Sequence, residues 1–147
     1  MPEEIFDLKL AQEMLPRLES LLRNAVESKR RIAEFEQQYA SLVKDIFLSG
    51  GRAVDLSAFS QHKQEKEDGE RILQQTVREI ELLGCVIKDL GTGLVDFPCR
   101  MGDREACLCW RLGEPSIGFW HTPDEGFAGR RPIDENFVAQ LKRPRPV

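Results

Sequence analysis

No apolar run in the chain approaches the roughly 20 residues that a bilayer-spanning helix needs, so a helical membrane protein is not expected. The opening MPEEIFDLK has neither a basic stretch nor an apolar one, which argues against an export signal and for a cytoplasmic location. Cysteine is scarce. Cys85, Cys99, Cys107 and Cys109 do not form the two paired knuckles of a structural zinc module, and in a cytoplasmic setting they are expected to stay reduced. A block of one charge sign is also missing: residues 1–84 carry 16 acids and 12 bases, residues 85–147 nine of each. The basic residues of the first part alternate with acids as on a solvated face, which disfavours nucleic acid as a partner. GTGL at Gly91–Leu94 lacks the third glycine and following helix of a dinucleotide fingerprint and reads as a turn.

What is present suits a folded domain. With 147 residues, 41% apolar and 31% charged, the chain can bury a core, roughly 70% of its unfolded surface at this size. Leu15, Leu18, Leu22, Ala25, Ile32, Tyr39, Val43 and Ile46 recur at three- and four-residue steps and predict one long helix, ended by Ser49, Gly50 and Gly51. Pro16 fits the first turn of that helix, so residues 7–14 are expected as a separate short helix capped by Asp7. After a turn over Arg52–Asp55, a second helix is predicted through Phe59, His62, Lys66, Gly69, Leu73, Thr76, Ile80 and Leu83, stopped by Gly84. The short connection makes the two helices antiparallel neighbours, with Gly69 near Phe35.

Beyond Gly84 the period shortens to that of strands: Cys85–Leu90, Leu94–Phe97, Ala106–Arg111 and Ser116–His121, separated by glycine-bearing turns. Residues 122–134 read as an ordered loop, followed by a short helix from Asp134 to Leu141 and a frayed tail at Pro144 and Pro146. The expected fold is therefore α+β: a long, coiled-coil-like antiparallel hairpin (1–84) packed on a small antiparallel sheet of about four strands (85–147), one structural unit overall. Helices this long expose more apolar stripe than such a sheet covers, which predicts self-association as a homodimer.

The unusual chemistry lies in the second part. Cys107 and Cys109 alternate onto one strand face, and pairing through the Gly113 turn sets His121 level with Leu108, diagonal to both thiols. His121, Cys107, Cys109, Asp96 and Glu114 are the donors from which a transition-metal site (Zn²⁺ or Fe²⁺) would be drawn, against the plainer reading of buried cysteines packed as small apolar residues. A thiol nucleophile, Cys109 activated by His121 with Glu114 or Asp96 orienting the ring, is a second option. Asp96, flanked by Val95 and Phe97, needs a partner such as Arg130, Arg111 or His121, and that pair would pin the 122–134 loop. Arg130 and Arg131 also suggest a clamp for a small anion.

DLGTGLVDFPCR, CLCWRLGEPSIGFWH and GFAGRRPI, with FDLKLAQEMLPRL upstream, resemble the bacterial domain of unknown function family 2203 over almost the whole chain. The resemblance implies an architecture and no activity, and it singles out Asp96, Cys109, Trp110, Glu114, Trp120, His121, Gly126 and Arg130. Two functions stay open: a non-catalytic assembly protein that binds a partner or small anion, and a metal- or thiol-dependent enzyme built on His121, Cys109, Asp96 and Glu114.

Overall fold

A computed structural model of the chain describes residues 6–50 and 56–143. The turn expected over Arg52–Asp55, Gly51, and the tail at Pro144 and Pro146 lie outside the described residues.

The first element is α1, Leu8–Leu48, a single helix running straight through Pro16 in place of the two predicted. Asp7 caps it, its side chain accepting from the Leu10 backbone N–H at 2.7 Å. An interior proline removes one hydrogen bond and crowds the preceding turn, a cost of about 3 kcal/mol. The helix continues because Ala11, Leu15, Leu18, Leu22 and Ala25 on either side of the proline are buried along one stripe, and fully burying each leucine returns roughly 1.5–3 kcal/mol. At the far end the Ser49 N–H bonds back to Asp45, and Gly50 takes the left-handed conformation (φ +71°) that lets the chain leave the helix.

Helix α2, Leu56–Leu82, packs against α1. Gly69 faces Ile32, whose Cγ1 would lie 3.3 Å from an added Cβ, whereas Phe35 packs near the His62 ring; the expected Gly69–Phe35 contact is displaced by about one turn.

The strands are β1 (Val86–Asp89), β2 (Leu94–Met101), β3 (Arg104–Arg111), β4 (Phe119–His121) and β5 (Arg131–Pro132), all antiparallel in the order β1-β2-β3-β4-β5. The fifth strand comes from the segment predicted as loop; two residues, one a proline confined to the sheet edge, carry too little pattern to be read as a strand. β2 runs past Phe97 through Pro98 because that proline faces an open edge. Its carbonyl accepts from the Phe6 N–H at 2.8 Å, and a residue's N and O point to the same side of a strand, so no bond to β3 is lost. The Lys142 N–H takes the next outward carbonyl, Arg100. Gly93 (φ +72°) closes the β1–β2 turn where an added Cβ would sit 2.6 Å from Leu112 Cβ, so only glycine fits.

Helix α3, Glu135–Gln140, is capped by Asp134 as the sequence predicts, and its Phe137 stacks on Trp120 at 4.5 Å between ring centroids. One face of the sheet, with Val95, Phe97, Cys99, Ala106, Leu108 and Trp110, joins Phe6, Leu15, Leu18, Leu22 and Ile80 in the core. The other face carries Asp96, Cys107, Cys109, Phe119 and His121.

Candidate functional site

Register decides which side chains meet on that second face. Asp96 lies opposite Cys109, Cys109 opposite Phe119, and Cys107 opposite His121. The β3–β4 register is thus one residue away from the one predicted, and His121 sits directly across from Cys107 and not diagonally. The connection between Arg111 and Phe119 is longer than the one predicted, since β4 begins at Phe119 and not at Ser116; within it Glu114 folds the turn by accepting the Arg111 N–H at 2.7 Å, and its own carbonyl accepts from Trp110 Nε1 at 3.1 Å.

His121 is buried, and both ring nitrogens are engaged. Nδ1 lies 2.7 Å from the Thr122 carbonyl, which can only accept, so Nδ1 carries a proton. Nε2 faces Asp96 Oδ1 at 3.0 Å. The Asp96 side chain is 2% exposed, and its Oδ2 has no hydrogen-bond partner; the nearest cation is Lys88 Nζ at 3.9 Å. Lys88 is the extra residue of a bulge in β1, where the register shifts between Ile87 and Asp89, a device that re-aims a side chain. One donor atom from each of Asp96, Cys107 and His121 lies within 4.8 Å of the others.

The remaining predicted residues do different work. Arg130 lies over the rings of Phe119 (3.8 Å) and Phe127 (4.6 Å) and donates from Nη2 to both Glu114 oxygens at 2.9 and 3.0 Å. This pair pins the segment after β4 across the sheet, so the partner of Arg130 is Glu114 and that of Asp96 is His121. Glu114 is accordingly no companion of the Asp96 group. Arg131 is held by Glu125 and lies over Trp120, so each guanidinium of the expected anion clamp already has a carboxylate partner, Glu114 for Arg130 and Glu125 for Arg131. Trp110 is on the core face and Trp120 stacks on α3, so neither lines the group around Asp96. Gly126 opens a short 3₁₀ turn, Phe127–Gly129, and its carbonyl accepts the Gly129 N–H.

The thiols are poor nucleophiles here. Burial pushes Cys109 up to about 11, the Asp96 charge raises it further and Arg130 opposes both. Cys107 is also pushed up to about 11, by burial and then by Asp96, with Lys88 pulling the other way. His121 directs Nε2 at a carboxylate rather than a thiol, so the anticipated Cys109–His121 nucleophilic pair is not formed. Lys88 and Thr122 were not picked out from sequence. A lysine alternating with Val86 across from Asp96, and the residue just after the histidine, become informative only once register and bulge are known.

The model of the uncharacterized conserved protein family DUF2203 matches residues 4–133, and the chain belongs to that family. No curated protein and no solved structure matches it.

Proposed function

We propose that this member of the family is a non-catalytic cytoplasmic assembly protein, a homodimer joined through the outer half of its helical hairpin, with the β-region presented for binding. One observation carries the reading: burial along α1 stops at Ser28, and among the described residues the element packed along the 20 residues that follow is α2. A helix of 41 residues is about 60 Å long. Its outer part carries Tyr39, Val43 and Phe47 at four-residue steps; Tyr39 lies against Phe59 of α2, 5.2 Å between ring centroids, while beyond it Val43 is 45% and Phe47 83% exposed. Two helices shield only the seam between them, and a second hairpin laid antiparallel on the first would cover this stripe as a four-helix bundle. The occupant is taken to be a second copy because the outer hairpin carries charges of both signs, Glu36, Lys44, Asp45, Lys63 and Lys66 among them, which suits a self-complementary contact.

Other observations fit. Arg23, Arg30, Arg31 and Arg71 are paired with acids on their own helices, leaving no basic stripe for nucleic acid. Among the described residues no helix is long and apolar enough to cross a membrane. Ile80 shares one core with Val95 and Leu108, which supports hairpin and β-region acting as one unit. Because its loop arginines are already paired, the β-region suits a protein partner better than a small anion.

Sedimentation velocity on the wild type and on a Val43→Glu, Phe47→Glu variant tests the reading. Association weakened at least tenfold in the variant, with its helical circular dichroism unchanged, is expected; a dimer unaffected by both charges would place the interface elsewhere and overturn it.

A further inference from the structure

We infer that Asp96, Cys107 and His121 form a binding site for one divalent transition-metal ion of the zinc class. The site is independent of the association proposed for the hairpin.

Three strands each supply one donor, and the three donor atoms lie within 4.8 Å of one another. Around a tetrahedral ion with bonds of about 2.0–2.3 Å, neighbouring donors stand roughly 3.3–3.7 Å apart, so side-chain adjustment alone closes the set. The 3.0 Å separation of His121 Nε2 and Asp96 Oδ1 is already near that spacing. The Thr122 carbonyl holds the Nδ1 proton, which fixes the ring and leaves Nε2 as the donor, the arrangement that orients metal-bound histidines. A second and separate sign is Asp96 Oδ2. It is buried with no hydrogen-bond partner, and leaving such an oxygen unmatched is costly unless something cationic meets it.

Lys88 Nζ, 3.9 Å from that oxygen and half exposed, supplies the charge when no ion is present. Its long stem lets it swing into solvent when the ion enters. Binding displaces two protons to solvent: the Cys107 thiol hydrogen, whose thiolate sulfur then bonds to the ion, and the proton shared between His121 Nε2 and Asp96 Oδ1, whose place the ion takes. Cys107 is the half-buried member of the three, so entry and a fourth, water-filled position lie on its side. A thiolate with an imidazole selects zinc, cobalt or iron(II) over magnesium and calcium, which prefer oxygen donors alone.

The test is titration of the untagged, chelator-stripped full chain with cobalt(II), read by absorption. One equivalent should give visible bands of tetrahedral cobalt together with a near-ultraviolet thiolate charge-transfer band, both displaced by zinc. Cys107→Ser, at a half-exposed position that should still fold, is expected to lose the charge-transfer band and weaken binding at least tenfold. Cys99→Ala should keep the band, and Lys88→Met should tighten binding several-fold by removing the competing cation. No saturable binding to the folded wild type, spectra without a thiolate band, or a band that persists in Cys107→Ser would each overturn the proposal.

Discussion

Asp96 and Glu114 are both acids with one principal partner, yet they stand in different surroundings. Asp96 and His121 are each under 5% exposed, and removing one leaves the other buried without its partner. Asp96→Ala should therefore cost about 3 kcal/mol in urea denaturation at neutral pH; a loss below about 1 kcal/mol would mean the pair is worth no more than a surface contact. Cys99, on the core face, gives a pH signature. Burial first, and then neighbouring Cys107, push its thiol up to about 12. The folded chain therefore holds this proton more tightly than the unfolded one. Its contribution is intact below the unfolded thiol value of about 8.5–9 and is lost as pH rises from there toward 12. Between pH 8.5 and 10.5 the wild type should lose roughly 1–2 kcal/mol more stability than Cys99→Ala, and equal slopes in the two proteins would contradict the assignment.

At the scale of elements, Pro16 is the clearest conflict between local preference and tertiary packing. The proline is exposed, so Pro16→Ala should restore a helical hydrogen bond without disturbing the core. Against a cost of about 3 kcal/mol for an interior proline, partly offset by the freer unfolded chain, the melting midpoint should rise by about 5 °C; an unchanged midpoint would mean the helix pays nothing for it. The same residue shows why sequence and structure parted here. Periodicity predicted the helix on both sides, and Leu15 and Leu18 gain enough by burial to carry it across the break. The hairpin, the four main strands and both Asp caps were legible because each depends on neighbouring residues. The β3–β4 register, the bulge at Lys88 and β5 were not, since each is set by contacts between distant segments. Asp96, Cys107 and His121 were all named as donors beforehand. That Cys107 comes level with His121, with Cys109 across from Asp96 on one side and Phe119 on the other, depends on a β3–β4 register that no local pattern encodes.

The whole molecule combines a core confined to one end with helices that outrun it. Among the described residues the buried positions of the hairpin helices fall between Ala11 and Ser28 of α1 and at Thr76 and Ile80 of α2, at the sheet end of the hairpin. The outer hairpin is therefore the least stabilised part of a lone chain, and covering it should protect its backbone. Amide exchange in 29–48 is expected to slow as protein concentration rises from nanomolar to tens of micromolar, with little change in β2 and β3; exchange independent of concentration would count against association. The most direct test of the account is the mass of the particle in solution. Light scattering behind gel filtration at tens of micromolar should give twice the 16.8 kDa of one chain; a clean 16.8 kDa species across that range would contradict it.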